Sequence, residues 1–383
     1  MAAREVVETS PTGYRLQVTE TSAQPDGRPS SALPVSAPGE TVTSLGERET
    51  LRRIVRRLPR TRAELLGPGD DAAVVAAPDG RTVLTTDMMV QGPDFRLAWS
   101  TPYELGWKAA VSNLADVAAM GAVPTALLVA LAAPPDTPVA VLEQFADGMR
   151  DACADLAPGC GVVGGDLSTA GALTITVTAI GDLEGRDPVV RSGAAVGDDL
   201  AVAGSLGLAG AGVWLLYRDG STDADAEGGR EPDARRARVV RHEHPELVRE
   251  QVAPRSPIGL GVAASDAGAT AMLDVSDGLV LDASRIADAS EVTIELHAHA
   301  IDAEAAGLVA IDPVVGRRAA DFVLTGGEDH SLLATFPAGR APEGFRVIGT
   351  VRQRGARAVT VGGAAYERPG GWDPYADWDG AAG

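Results

Sequence analysis

Acidic residues recur at one kind of place in the sequence, at the ends of apolar segments and beside glycine turns. The residues concerned are Asp70, Asp71, Asp87, Asp116, Asp166, Asp274, Asp277 and Glu328. Taken singly, each is explained as a turn former or a helix cap. Gly197–Asp199 repeats the glycine and paired aspartates of Gly69–Asp71 in a segment typical of an ordinary turn. The hypothesis of a shared site therefore depends on the recurrence of acids at strand ends, where α/β proteins tend to build their sites.

A set of carboxylates that lacks histidine and cysteine is typical of a site for hard cations, and Mg²⁺ is the leading candidate. Magnesium commonly bridges a few carboxylates and the oxygens of phosphate groups. Thr85 and Thr86 would add oxygen ligands beside Asp87. The two cysteines and the two His-x-His pairs have no such ligand pattern around them. The sequence therefore predicts a magnesium site.

Several common phosphate-binding signatures are absent from the sequence. The chain has one lysine, Lys108, which completes neither a G-x-x-x-x-G-K-[ST] loop nor the motif set of a protein kinase. The glycine-rich segment from Gly204 to Gly212 does not fit G-x-G-x-x-G. We interpret this segment as a turn followed by a closely packed helix start, with a phosphate-cradling role as the alternative.

Strand-like and helix-like segments alternate from about Leu51 onward and must position the acids. The clearest predicted elements are strands at 81–90 and 173–183, a helix at 100–122, a strand, turn and helix at 270–290, and a loop followed by a strand at 322–336. This alternation predicts an α/β (α+β) protein.

The predicted helix at 100–122 is the best marked of these elements. Thr101 and Glu104 have capping-box spacing, and Pro102 suits the first helical turn. Lys108 and Asp116 are eight residues apart and fall on one polar stripe of an otherwise alanine-rich surface. This helix is therefore expected to carry Asp116 toward the shared site.

The acidic composition argues against two classes of partner. The formal net charge of −20 disfavours binding to nucleic acids or anionic membranes through bulk charge. Small anionic substrates stay possible, because bound metal ions reverse the local field. The sequence has no signal-peptide pattern and no unbroken apolar run of about twenty residues. We therefore expect a soluble, cytoplasmic protein.

The chain divides by composition into an extension and two domains. Residues 1–45 are rich in Ser, Thr, Pro and Gly, and we predict a mostly disordered extension. We place the first domain at 46–188 and the second at 189–383. Residues 219–238 are predicted to be an exposed loop insertion in the second domain.

Eight short motifs follow one another in a distinctive order. They are GPGDDAAVV, TTDMMVQGPDF, NLADVAAMGA, VVGGDLS, RSGAAVGDDLAVAG, LDVSDGLVLD, TGGEDHSLL and GGWDPY. Their order and spacing, with LDVSDGL and GGED together, resemble the thiamine-monophosphate kinase family of the aminoimidazole ribonucleotide synthetase superfamily, from about residue 45 to 378. The resemblance implies ATP-dependent phosphorylation of thiamine monophosphate to thiamine diphosphate. It also implies a two-domain chain whose N-terminal domain pairs with its twin in a homodimer.

The resemblance also implies a role for each residue that matches a motif. The implied Mg²⁺ ligands are Asp71, Thr85, Thr86, Asp87, Asp116, Asp166 and Asp274, with Asp277 near a further ion. The implied ATP contacts are Gly165, Asp166, Arg191 and Ser276. The implied substrate contacts are Asp94, Glu328 and Trp372. Asp94 stands where the family usually has a histidine, which could donate a hydrogen bond that an ionised aspartate cannot.

The implied reaction requires no protein nucleophile and no general base. The acceptor is a phosphate that is mostly ionised near neutral pH. Alignment and charge neutralisation are what the transfer needs, so we expect direct in-line transfer of the γ-phosphoryl group assisted by several Mg²⁺ ions. Three alternatives stay open at this point. They are another ATP-using enzyme of the superfamily (selenophosphate, hydrogenase-maturation or aminoimidazole ribonucleotide type), a non-catalytic nucleotide-binding protein, and a divalent-metal phosphatase.

Overall fold

Two large β-sheets and the helices packed against them make up the fold. The computed structural model describes residues 37, 39–68, 72–222, 230–368 and 370–371. The helices are α1 (Val42–Leu45), α2 (Glu47–Val55), α3 (Pro102–Ala119), α4 (Val139–Leu156), α5 (Leu208–Asp219), α6 (Ala234–Glu243), α7 (Pro245–Val252), α8 (Gly259–Asp266), α9 (Leu279–Ala289), α10 (Ala298–Ile311) and α11 (Ala319–Thr325), with a 3-10 helix at Pro313–Arg318. The strands are β1 (Glu64–Leu66), β2 (Val74–Val75), β3 (Val83–Val90), β4 (Val123–Ala133), β5 (Val162–Thr169), β6 (Thr174–Asp182), β7 (Asp199–Ala203), β8 (Ala271–Val275), β9 (Val292–Leu296), β10 (Ser331–Phe336), β11 (Arg346–Gln353), β12 (Val359–Val361) and β13 (Ala364–Ala365).

The N-terminal half contains a four-stranded sheet with the order β3-β6-β4-β5. β6 runs antiparallel to both β3 and β4, whereas β5 runs parallel to β4. Side chains alternate between the two faces of each strand, as the pleat of a sheet requires. The predicted strands at 81–90 and 173–183 are confirmed as β3 and β6.

Helix α3 packs against both large sheets and is mostly buried. The predicted capping box is confirmed, since Thr101 Oγ1 accepts from the backbone of Glu104 while the Glu104 carboxylate accepts from Thr101. α3 crosses α4 closely at two glycines, because a Cβ at Gly106 would lie 1.9 Å from the carbonyl oxygen of Phe145. The many small residues of α3 therefore allow one helix to hold the two halves together.

The C-terminal half contains a seven-stranded sheet with the order β13-β12-β9-β11-β7-β10-β8. All its neighbouring pairs are antiparallel except β12 with β9. The prediction at 270–290 is confirmed as β8, a turn and α9. At 322–336 the strand is confirmed as β10, but α11 continues to Thr325 where a loop was predicted. The mixed helices and sheets confirm the α/β (α+β) class.

Two predicted irregular segments are shorter than expected. The predicted disordered extension falls largely outside the described residues, but Thr41 caps α1 and Val42 donates from its backbone to the carbonyl of Thr137. The predicted loop at 219–238 ends where Asp233 caps α6, and Ala237 is buried in the core. Residues 223–229 of that loop lie outside the described residues. In both places a side-chain cap starts a helix earlier than composition indicates.

Candidate functional site

A cavity of about 950 Å³ lies between α3, the segment that follows β3, and elements of the C-terminal half. Seven of the residues singled out from the sequence line it: Asp87, Asp94, Asp116, Asp274, Ser276, Asp277 and Glu328. They come from β3, α3, β8 and the segments that follow β3, β8 and α11. Residues that are almost 250 positions apart in sequence thus share one cavity.

Three aspartates form the acidic end of this cavity. Asp116 accepts a hydrogen bond from Thr85 Oγ1 at 2.7 Å, and His330 Nδ1 lies 3.1 Å from Asp274. Burial raises the pKa of Asp87, and the negative charge of Asp274 adds to the shift. Burial, then Asp274 and Asp87, raise the pKa of Asp116 to about 7. These carboxylates therefore repel one another within a partly buried space.

The donor atoms at this end suit a hard cation. Among the described residues, no three or more His, Cys, Asp or Glu side chains converge closely enough to hold a metal ion. Asp71 lies outside the described residues. The groups that are present are carboxylate and hydroxyl oxygens, which Mg²⁺ prefers. Burial raises the pKa values of Asp87 and Asp116 most, and a divalent cation would relieve the repulsion that adds to it. The donor chemistry of the cavity therefore fits Mg²⁺.

The turn that carries Ser276 and Asp277 is held by a buried carboxylate that the sequence analysis missed. Asp282 Oδ2 accepts from the backbone nitrogens of Asp277 at 3.0 Å and Gly278 at 3.1 Å. Arg285 contacts both Asp282 and Asp277, the latter at 2.5 Å. Burial raises the pKa of Asp282 to about 7, against the opposing charge of Arg285. The sequence signal for this role was the position of Asp282 in the first turn of α9.

The other end of the cavity is organised around Glu328. Lys108 Nζ lies 2.6 Å from Glu328 Oε1, and Gln251 Nε2 donates to Glu328 Oε2 at 2.6 Å. Asp94 Oδ2 accepts from the backbone nitrogen of Val90 at 2.7 Å. Neither Lys108 nor Gln251 was predicted to be a site residue. The sequence did contain a signal for Lys108, which is the only lysine of the chain and lies on the polar stripe of α3. Nothing in the sequence marked Gln251 as a site residue.

An aromatic wall lies beside this end. The guanidinium carbon of Arg96 is 4.7 Å from the ring centroids of both Trp99 and Tyr217, and all three residues line the cavity. Trp99 donates from its indole nitrogen to the carbonyl of Gly220 at 3.0 Å. Since Arg96 and Trp99 follow β3 and Tyr217 belongs to α5, the stack joins the two halves of the chain.

The structure does not bring every predicted site residue to this cavity. Thr86 faces the opposite side of the sheet from Thr85, and its hydroxyl donates to the carbonyl of Val177 at 3.0 Å. Gly165 and Asp166 line a second, more apolar cavity of about 950 Å³. Arg191 is exposed and lines neither cavity. Trp372 lies outside the described residues.

The glycine-rich segment from Gly204 to Gly212 is confirmed as a turn and a closely packed helix start. Asp329 occupies the N-terminus of α5, where its carboxylate accepts from the backbone nitrogens of Gly207 at 2.6 Å and Ala209 at 3.0 Å. A Cβ at Gly210 would lie 2.6 Å from the Cα of Gly326. The amides that a phosphate would need are already bonded to Asp329, so the phosphate-cradling alternative is not supported.

Comparison with known proteins identifies the family. The family model described as AIR synthase related protein, N-terminal domain, matches residues 69–183. The thiamine-monophosphate kinase of Mycobacterium tuberculosis is 44% identical over 339 residues, which cover 88% of this chain and 94% of the relative. The chain belongs to the thiamine-monophosphate kinase family.

Two further relatives support membership of the thiamine-monophosphate kinase family. The Corynebacterium glutamicum thiamine-monophosphate kinase is 40% identical over 341 residues, covering 88% of this chain and 96% of the relative. A solved structure of the Aquifex aeolicus enzyme, described as AaThiL complexed with AMPPCP and TMP, is 31% identical with a TM-score of 0.63. The match covers 79% of this chain and 90% of the chain in the solved structure. Within the described residues of this family member, no helix has the length and apolar character needed to cross a membrane.

Proposed function

We infer that the protein phosphorylates thiamine monophosphate with ATP to form thiamine diphosphate. Family membership over 88% of the chain carries this inference. A relative whose structure is complexed with AMPPCP and TMP gives the two ligand classes. The cavity between the two halves of the chain is large enough for both reactants, which fits a direct transfer between them. This assignment replaces the other superfamily activities considered above.

We propose that the acidic end of the cavity holds Mg²⁺ and both phosphate groups. Asp87, Asp116 and Asp274 would be its ligands from the described residues, with Asp277 near a further ion. Bound Mg²⁺ would neutralise charge on the phosphate oxygens. The chain's own part is to align the acceptor phosphate with the γ-phosphorus, and the ionised acceptor needs no protein base. Four further metal ligands are proposed on the motif match alone: Asp71, Thr85, Thr86 and Asp166.

We propose that the remaining assigned residues bind the organic parts of the two reactants. Gly165, Asp166, Arg191 and Ser276 are the proposed nucleotide contacts. Glu328, Asp94 and Trp372 are the proposed contacts for the thiamine part, whose thiazolium cation suits an acidic and aromatic environment. Of these residues, Glu328, Asp94 and Ser276 line the same cavity. The nucleotide contacts outside it depend on the motif match.

We also propose a cytoplasmic homodimer with domains at 46–188 and 189–383. The outer face of the four-stranded sheet exposes large apolar side chains, including Leu84 at 66%, Met88 at 60% and Leu128 at 37% relative exposure. A large apolar surface left exposed on a soluble protein often marks an interaction site. A two-fold contact between two copies of this face would bury it.

Incubation of the protein with Mg²⁺, ATP and thiamine monophosphate tests the proposed activity. We expect thiamine diphosphate and ADP in equal amounts, and no product when the metal is chelated. Asp87→Asn should lose at least about 100-fold in turnover, the range for loss of one electrostatic contact in a transition state.

Asp199→Asn is the matched control for this experiment. Asp199 belongs to the second Gly-Asp-Asp segment and lies outside the cavity, where its carboxylate accepts from the backbone of Gly339 at 2.7 Å. This variant should turn over like the wild type. Binding of Mg²⁺ and ATP without any thiamine diphosphate formed would instead identify a non-catalytic nucleotide-binding protein.

A further inference from the structure

The carboxylate of Glu328 is held by two buried side chains, Lys108 and Gln251. The side chain of Glu328 is 36% exposed, whereas that of Lys108 is 5% exposed. Gln251 is buried as well, and its Oε1 atom has no hydrogen-bond partner among the described residues. All three residues line the cavity, and Glu328 has the most exposed side chain of the three.

Each of the two buried side chains contacts a different oxygen of the Glu328 carboxylate. Lys108, on α3, contacts Oε1, and Gln251, on α7, donates to Oε2, each at 2.6 Å. A carboxylate offers about four lone-pair positions on its two oxygens. Two of them are occupied here, so acceptor capacity remains for a ligand that brings N–H donors. The two partners belong to different halves of the chain, which fixes the plane of the carboxylate relative to both.

The charge of Glu328 also depends on these partners. Burial raises the pKa of Glu328, but the Lys108 charge and the hydrogen bonds from Lys108 and Gln251 outweigh burial, so the pKa lies below its usual value. The carboxylate is therefore an acceptor without a proton of its own at neutral pH. Removal of Lys108 would take away the largest contribution that lowers this pKa and one of the two contacts that hold the carboxylate.

The backbone around Glu328 also holds this residue in place. Its φ of 66° lies in the left-handed region, which is uncommon for a residue with a side chain and often marks a functional site. Its backbone nitrogen donates to the carbonyl of Ser276 at 2.7 Å. A Cβ at the preceding Gly327 would lie 2.6 Å from that same carbonyl oxygen, so the segment packs directly on the β8 turn.

We propose that Lys108 and Gln251 are positioning residues that hold the Glu328 carboxylate in one orientation, so that the site selects a substrate ring bearing an amino group. The inference rests on the proposed function, because thiamine monophosphate carries an aminopyrimidine ring with such a group. A ring with a carbonyl in place of the amino group would present an acceptor to an acceptor and be rejected. Neither residue is expected to touch the reacting phosphates.

The test compares thiamine monophosphate with its 4-oxo analogue, in which a carbonyl replaces the amino group of the pyrimidine. Values of kcat/KM are measured for both compounds with the wild type, Gln251→Leu, Lys108→Met and Lys108→Arg. The wild type should prefer the amino compound by at least about 100-fold, as sites built around a substrate N–H do. In Gln251→Leu and Lys108→Met the preference should fall about 10-fold or more, mainly through a higher KM for thiamine monophosphate. The KM for ATP should not change, and Lys108→Arg should keep the wild-type preference.

A second buried ion pair supplies the matched control. Arg57 contacts Asp147 at 2.5 Å, its side chain is 3% exposed, and it does not line the cavity. Arg57→Met should lower the stability but leave the preference unchanged, which separates a positioning role from general destabilisation. If Lys108→Met does not fold, Gln251→Leu decides alone, because this substitution leaves the ion pair between Lys108 and Glu328 intact.

The outcomes separate this inference from the proposed function. A wild type that does not turn over thiamine monophosphate contradicts both. A wild type that does so, with a folded Gln251→Leu that keeps the full preference for the amino compound, overturns the positioning role alone. Loss of preference in Arg57→Met would also overturn it, because the effect would then follow stability and not the contact with Glu328.

Discussion

The substitution Asp116→Asn examines the electrostatics of the acidic end directly. Asp116 accepts a hydrogen bond from Thr85 Oγ1 at 2.7 Å, and the side-chain oxygen of asparagine can accept the same bond. The change therefore removes a charge with little change of shape. Because burial, Asp274 and Asp87 raise the pKa of Asp116 to about 7, the folded protein without a bound cation disfavours the ionised form.

The sign and size of the expected stability change follow from this pKa. The folded pKa lies above the usual value of 3.8, so the wild type loses stability as the pH rises from about 4 to about 7. The asparagine variant does not titrate there. The difference between pKa values of 3.8 and about 7 corresponds to at most about 4 kcal/mol. Water in the open cavity screens part of it, so we expect Asp116→Asn to be about 1–2 kcal/mol more stable than the wild type at pH 8.

Urea denaturation in the presence of a chelator, at pH 5 and at pH 8, measures this difference in the free energy of unfolding. The advantage of the variant should be larger at pH 8 than at pH 5. Added Mg²⁺ should stabilise the wild type more than the variant, and turnover of the variant should fall by at least about 100-fold. A variant that is less stable than the wild type at pH 8, or that keeps its activity within about threefold, would refute the reasoning.

Three further predictions concern other parts of the chain. Leu84→Arg should convert the proposed homodimer to monomers in sedimentation velocity, whereas Leu97→Arg, at an exposed position outside the sheet, should not. Asp329→Ala should lower the free energy of unfolding in urea by about 2 kcal/mol, because two buried backbone N–H groups lose their acceptor; an unchanged value would contradict the capping role. Trp372→Ala should raise the KM for thiamine monophosphate more than that for ATP, since loss of a cation–π contact costs about 0.5–2 kcal/mol; equal changes would count against a substrate contact.

Local signals in the sequence predicted the elements whose ends are marked by side chains. The helix α3 was recognisable from Thr101 and Glu104, because a capping box satisfies the first backbone nitrogens within a few residues. The strand β6 was recognisable from alternating apolar residues. The start of α6 was missed although Asp233 caps it, because the charged residues around it indicated a loop. Composition is therefore a weaker guide to these boundaries than capping geometry.

The sequence predicted the acidic residues of the site better than it predicted the residues that contact them. Strand periodicity already placed Thr85 and Thr86 on opposite faces of β3, which the motif match did not take into account. The contact between Lys108 and Glu328 joins residues 220 positions apart, and no local pattern specifies such a pair. Gln251 was not recognisable at all, since its contact with Glu328 exists only after α7 packs against the rest of the chain.

The burial of Lys108 leaves the folded protein with almost no accessible side-chain amine. No other side chain of the sequence carries a primary amine, and this one is almost fully covered in the folded chain. Amine-directed acylating reagents should thus leave the native side chains unmodified and react at this position only when α3 separates from the opposite half. The rate of that modification would report how often the molecule opens at the cavity between its two halves.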